Sequence, residues 1–294
     1  MEYVLGHGTQ NDFVLLPDPD DRLDLTPAAV RALCHRRRGL GADGVLRVAP
    51  SSVPGADWFM DYRNGDGSIA EMCGNGVRVF ARFLVEAGWA APGSFAVATR
   101  AGLRTVELDH HGDVTVDMGP AVVGAESTAV VPSPAGPAGS VTTFAGVAVD
   151  VGNPHLACVT TADLDALDLT AAPGYDAELF PHGVNVEFLA PLDAGLATRL
   201  RVHERGSGET CSCGTGTVAG AVAGLRAAGL DAGTVTVTTP GGVLRVGVDP
   251  STTTLTGPAV LVAKGEVELG GIEGGDGPDG ELQAFVRLAE HATA

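Results

Sequence analysis

Much of the chain carries the polarity pattern of strands. Tyr3 to Leu16 reads as strand on both sides of a His7–Asp12 turn, and Val45–Val48 and Trp58–Arg63 read the same way. From Phe95 to Val116 the alternating segments FAVAT, RTVEL and VTVDM succeed one another. Gly- or His-bearing turns part them, which predicts antiparallel hairpins. Further strands are predicted at Val141–Val151, Leu156–Val159, Val184–Leu189, Leu200–Val202, Val235–Thr238, Leu244–Val248 and Ala259–Val262. Before the tail, three stretches change to helix. Thr26 is an N-cap with Pro27 in the first helical position, for a helix running to about Arg36. The other two helices each follow a Cys-Gly-x-Gly turn, one after Cys73 and one after Cys213. Thr217 to Ala228 is small and apolar all round, so that helix belongs inside a domain.

The two Cys-Gly turns are part of a longer repeat. Cys73-Gly74-Asn75-Gly76 and Cys213-Gly214-Thr215-Gly216 lie 213 − 73 = 140 residues apart. Thr99-Arg-Ala-Gly102 matches Thr239-Pro-Gly-Gly242 at the same 140, and Asn11 parallels Asn153 at 142. Gly-Pro-Ala-Val recurs at Gly119 and Gly257, an offset of 138. A duplicated half follows. The first half spans 1–119, completed by a C-terminal strand near 258–269, and the second spans 120–257. Pro120 to Ala138, rich in Pro, Gly and Ser, is the expected boundary. Residues 270–294 form an acidic, Gly-rich tail: a flexible linker at 270–281, then a short surface helix over Leu282–His291. Arg36, Arg37 and Arg38 are expected to be a solvated helix end, with the alternative that one of them reaches a carboxylate, followed by a tight turn at Gly39–Gly44.

Composition narrows the function. At 294 residues and 45% hydrophobic the chain can bury a large core, and 5% aromatic content means a core of Val, Ala and Leu. A formal net charge of −18 argues against nucleic acid or an anionic membrane as partner. No apolar run approaches membrane-spanning length, and the N-terminus lacks a basic and apolar leader, so the expected location is the cytoplasm. Five scattered cysteines do not make a disulfide framework, and reduced thiols are expected.

A thiol at the mouth of a buried helix meets unpaired N–H groups and the positive dipole end, which favour thiolate. Two such thiols related by duplication suit inversion at an acidic carbon. One sulfur removes a proton from one face while the other delivers a proton to the opposite face. The same helix mouths can hold the adjoining carboxylate, and no cofactor is needed in principle. Cys211 and Cys213 form a Cys-x-Cys, but no second cluster with zinc spacing accompanies it, so no metal is expected. Cys34 and Cys158 are read as packing residues. His155, beside Asn153, is a candidate for tuning a thiol. Glu204 and Arg205 are candidates for the ammonium and carboxylate ends of an amino-acid substrate.

The blocks HGTQNDF, GLGADGVL, NGDGSIAEMCGNGVRVFARF, VGNPH, GVNVEF and HERGSGETCSCGTGT resemble the signatures of the diaminopimelate epimerase family. The resemblance implies an α+β fold of two pseudo-symmetric halves, each a mainly antiparallel sheet wrapped around a central buried helix. It implies cofactor-independent conversion of LL- to meso-2,6-diaminopimelate, in lysine and peptidoglycan precursor synthesis, by a homodimer. Carried onto this sequence, Cys73 and Cys213 would be the acid/base thiols. Gly74, Asn75, Gly214 and Thr215 would cradle the reacting carboxylate. Asn11, Asn64, Asn153, Asn185, Glu204 and Arg205 would read the amino-acid groups, with His155 and Glu204 adjusting the thiols. Gln10 stands where many members have glycine, Gly44 where some have a substrate-contacting glutamine, and Ala263 where some have an aromatic at the dimer contact. A proline racemase or hydroxyproline epimerase of the same fold is the nearest alternative. A non-catalytic amino-acid-binding protein or a thiol redox switch is the alternative outside enzymes.

Overall fold

The computed structural model describes residues 1–108, 112–133 and 139–271, and the backbone of 282–287. Its elements begin with β1 (Glu2–Gly8), β2 (Asn11–Pro17), α1 (Pro27–Cys34), β3 (Gly44–Pro50), β4 (Trp58–Asn64), α2 (Gly74–Glu86), β5 (Gly93–Thr99) and β6 (Gly102–Leu108). There follow β7 (Val114–Gly119), β8 (Val122–Pro132), β9 (Val141–Asp150), β10 (Pro154–Val159), β11 (Asn185–Leu189), β12 (Ala197–Glu204) and β13 (Gly208–Thr210). The chain ends with α3 (Gly214–Ala227), β14 (Gly233–Thr239), β15 (Gly242–Val248), β16 (Thr253–Gly257), β17 (Val260–Gly271) and β18 (Leu282–Arg287). Two compact units result, Met1–Val114 with Pro258–Ala294, and Thr115–Gly257.

Each unit is a sheet curled about one helix, and the pairing directions repeat. From β1 through β6 neighbours run antiparallel, parallel, antiparallel, parallel, antiparallel. Through β9, β10, β11, β12, β14 and β15 the order of directions is the same. The first unit adds β17 beside β1 and β18 beside β17, both antiparallel. The second adds β8 beside β9, and β16 and β7 beyond β15. Inside the first sheet α2 touches β1, β2, β3, β4, β6 and β17; inside the second α3 touches β9, β10, β11, β12, β14, β15 and β16. Such a helix has no outward face, which is why α2 is buried from Gly74 to Val85 and α3 at nearly every position to Leu225. In α3 small residues make room: a Cβ on Gly220 would lie 2.4 Å from Leu200 Cδ1.

The outer faces are covered as well. In the first unit α1 lays Val30, Leu33 and Cys34 on Val14, Leu16 and Val45. In the second, Leu164, Leu169 and Phe180 cover Leu156, Cys158, Val186 and Phe188. Strands buried on both faces lose the polar half of their alternation. The period of two still decides facing, so Leu156 and Cys158 point outward while His155 and Ala157 point to α3.

Local chemistry behaves as the sequence predicts at several joints. Thr26 caps α1, accepting from the Ala29 amide at 3.2 Å. Thr99 and Thr239 each close their hairpin by donating to a glycine carbonyl, Gly102 at 2.7 Å and Gly242 at 3.1 Å. Four expectations are corrected. Helix α1 stops at Cys34; beyond it Arg36 stays exposed and is the arginine that reaches carboxylates, forking onto Asp12 at 2.8 and 2.9 Å and reaching Asp43 at 2.7 Å. The Pro120–Ala138 boundary contains the eleven-residue strand β8, because β9 offers an antiparallel partner from Val141 to Asp150. The helix expected over Leu282–His291 is replaced at Leu282–Arg287 by strand β18 on β17, whose free edge outcompetes an isolated short helix. The tail linker begins later than expected, since 270 and 271 still belong to β17; 272–281 and 288–294 lie outside the described residues.

Candidate active site

Cys73 and Cys213 do more than precede their helices. Each is the N-cap, with extended backbone, and each sulfur accepts the amide of the third helical residue, Gly76 or Gly216, at 3.4 Å. Serine and aspartate are the usual residues at this position because their oxygens accept that amide. Here the acceptor is sulfur, fixed where a helix presents its positive end.

In the first unit the β1–β2 hairpin delivers Asn11 to this thiol. Thr9 and Gln10 form its two-residue turn, both with positive φ (51° and 63°), the geometry that matches strand twist but usually calls for Asn and Gly. Asn11 Oδ1 accepts from Asn75 Nδ2 at 3.2 Å and from Cys73 Sγ at 3.6 Å. Its Nδ2 donates to Asp43 Oδ2 at 2.8 Å, which prevents the amide from flipping. Arg36 holds Asp43 and Asp12 in turn. Burial pushes Asp43 above the usual carboxylate range, whereas at Asp12 the Arg36 contacts overcome burial and hold the carboxyl low. Asn64, at the end of β4, donates to Ser68 Oγ at 2.9 Å and shapes the turn that leads to Cys73.

In the second unit the corresponding space is polar. His155 Nδ1 lies 2.7 Å from Glu187 Oε1 and its Nε2 lies 3.0 Å from Asn153 Oδ1, with both side chains of the His–Glu pair fully buried. Glu187 abuts the first turn of α3: a Cβ on Gly216 would fall 2.5 Å from Glu187 Oε1. Burial pushes the Glu187 carboxyl up, against the pull of His155. Cys213 touches the Thr215 hydroxyl at 3.5 Å. The thiol is driven well above its ordinary value, first by burial and then by the charges of Glu204 and Glu187. At this sulfur the helix dipole alone does not win, so Cys213 rests as a thiol. Glu204 accepts from Thr210 Oγ1, Asn185 Oδ1 accepts the Arg205 amide at 2.9 Å, and the Arg205 guanidinium donates to the His182 carbonyl at 2.8 Å.

Glu187, buried beside His155 and the first turn of α3, is the residue of this candidate site that sequence reading passed over. Its signal was present: the repeat aligns Glu187 with Leu46, a charge where the other half has a leucine. Among the described residues no group of three or more His, Cys, Asp or Glu side chains is arranged to hold a metal ion, and no helix is long and apolar enough to cross a membrane.

The family model described as diaminopimelate epimerase matches residues 3–124 and 147–269. The chain is 53% identical over 292 residues to the diaminopimelate epimerase of Rhodococcus jostii (strain RHA1), covering 92% of this chain and 98% of that one. It is 51% identical over 289 residues to the Mycobacterium ulcerans (strain Agy99) protein of that name, covering 91% and 97%. Among solved structures it is similar to a hydroxyproline epimerase from Agrobacterium vitis, with TM-score 0.65 and 18% identity over 90% of this chain and 91% of that one. A Bacillus anthracis PhzF-family protein gives TM-score 0.63 at 16% identity, covering 90% and 97%. At such identities the structural likeness speaks for the fold.

Proposed function

Since the chain belongs to the diaminopimelate epimerase family, we propose that it interconverts LL- and meso-2,6-diaminopimelate by two-base proton transfer between Cys73 and Cys213. The observation that carries this reading is the pair of N-cap thiols, one per unit, each 3.4 Å from the amide of the third helical residue. A sulfur held there loses or gains a proton without moving its helix, and the amides beside it stabilise negative charge. In one direction the Cys73 thiolate takes the α-proton and the Cys213 thiol returns one to the opposite face; the reverse reaction exchanges the roles.

The first-turn residues Gly74, Asn75, Gly214 and Thr215 present N–H groups suited to the carboxylate of the reacting centre. Asn11, Asn64, Asn153, Asn185, Glu204 and Arg205 are read as the groups that recognise the amino-acid ends, with His155 and Glu204 adjusting the thiols. A cyclic imino acid, with no distal amino-acid group, would leave much of that set without a purpose. The reaction needs no cofactor in this reading, because fixed amides and desolvation carry the carbanion charge. A reduced, cytoplasmic homodimer is the expected working form, and its mass in solution checks that.

Incubation with LL-diaminopimelate in deuterated water, without added cofactor, should give meso product labelled at one α-carbon. Cys73→Ala and Cys213→Ala should each abolish this product. Full turnover in either variant would end the two-base reading, and turnover of 4-hydroxyproline in place of diaminopimelate would redirect the substrate.

A further inference from the structure

The repeat makes it possible to ask where the halves differ, and they differ in buried charge around the thiols. Gly76 and Gly216 are equivalent third helical residues. A Cβ on Gly76 would meet Leu46 Cδ2 at 3.3 Å and Phe13 at 3.5 Å; on Gly216 it would meet Glu187 Oε1. The strand registers agree: Phe13 pairs with Gly44 as His155 pairs with Asn185, and Leu15 with Leu46 as Ala157 with Glu187. The apolar pair Phe13–Leu46 under one thiol is thus the pair His155–Glu187 under the other. On the helices the inequality is reversed, for Arg78 in α2 corresponds by the offset of 140 to Val218 in α3.

Arg78 is fully buried, five residues along the helix from Cys73. Its Nε donates to the Pro258 carbonyl at 3.3 Å and its Nη2 to the Thr9 hydroxyl at 3.2 Å. Nη1 has no partner, and no carboxylate pairs with Arg78 among the described residues. A guanidinium buried without a direct ion pair is costly, and Val218 shows that the fold does not require one there. We propose that Arg78 is a positioning residue that stabilises the thiolate of Cys73, so that Cys73 is the thiol that ionises first and Cys213 the one that keeps its proton. The inference rests on the reading of the two sulfurs as an acid/base pair.

The charges facing this region support it in sum. The Cys73 thiolate and Asp113 are the negative groups that act on Arg78, whose pKa burial lowers to about 10, leaving it a cation at neutral pH. Asn11 Oδ1 opposes ionisation of Cys73 as a dipole 3.6 Å away. Asp43 and Asp12 are the other carboxylates near Asn11, but both are paired with Arg36 and that cluster is partly solvated and screened. Arg78 is not screened. Cys213, by contrast, has Glu204 and Glu187 as its charged neighbours.

The test is the pH profile of alkylation by iodoacetamide, read separately for Cys73 and Cys213 by peptide mass in the folded full-length protein. In the wild type Cys73 should react at least tenfold faster than Cys213 at pH 7. Arg78→Met should slow Cys73 about tenfold at pH 7 and move its profile up by about one pH unit, with Cys213 unchanged. Arg78→Lys should stay within about threefold of wild type, and Glu187→Gln should speed Cys213. Equal wild-type profiles would overturn the proposal even if Arg78→Met failed to fold, and so would an unmoved Cys73 profile in that variant. Alkylation needs no turnover, so failure here and failure of the epimerase reading are separate results.

Discussion

A methyl group added at Gly216 and one added at Gly76 are the same edit to the third residue of two equivalent helices, yet their consequences should be opposite. Either Ala gains up to about 0.5–1 kcal/mol over glycine through reduced backbone freedom. At Gly76 the nearest atom is Leu46 Cδ2 at 3.3 Å, the end of an aliphatic side chain that can yield a few tenths of an ångström. Gly76→Ala should therefore be neutral or slightly stabilising. At Gly216 the new Cβ would stand 2.5 Å from Glu187 Oε1, the oxygen that meets His155 Nδ1 at 2.7 Å. The carboxylate must move, and a buried hydrogen bond to a charged group is worth roughly 1.5–3 kcal/mol. After the propensity gain the net loss should be roughly 1–2 kcal/mol, or about 2–8 °C in melting temperature for domains of this size. Scanning calorimetry on both variants measures it, with epimerase turnover as the companion assay; Gly216→Ala should also lose activity because His155 loses its orientation. Identical melting temperatures for the two variants would refute the placement of Glu187 under the first turn of α3.

Asp43→Ala should release the Asn11 amide from its 2.8 Å hydrogen bond and lower kcat about tenfold by the scale of lost positioning; an unchanged kcat would remove Asp43 from the site's support. Gln10→Gly should stabilise the protein by about 0.5–1 kcal/mol by relieving a positive φ at 63°, seen as a rise in melting temperature. Burial raises the thiols of Cys34 and Cys158 from 9.0 to about 12. The folded state then holds protons that the unfolded state releases, so stability is complete below pH 9 and falls as pH rises toward 12. Each such thiol contributes a slope of about 1.4 kcal/mol per pH unit in that window. Urea titrations from pH 8 to 11 should show the fall, and Cys158→Ala should remove one thiol's share of its slope while that of Cys34 remains.

How much was legible in advance follows from the range of the interactions involved. Local rules carried well where the signal lies within a few residues. The Thr26–Pro27 start of α1, the two Cys-Gly helix mouths and the Thr99 and Thr239 hairpins depend on backbone groups next to one another. The duplication was legible because equal spacing survives folding. Arg36 was harder, since its partner Asp12 lies 24 residues away and nothing in a run of three arginines says which one reaches a carboxylate. The terminal strand β18 was missed because its choice between helix and strand is made by the open edge of β17, not by its own residues.

By itself the sequence determined two related halves, a thiol at the head of each buried helix, and strands enough to enclose them, because periodicity and capping are properties of neighbouring residues. The tertiary structure alone decided that Glu187 stands where Leu46 does, that Asp43 fixes Asn11, and that Arg78 is buried without a carboxylate partner. The first is a consequence of register between distant strands, where a step of one residue turns a side chain from one face of the sheet to the other, and the other two follow from contacts between residues far apart in the sequence.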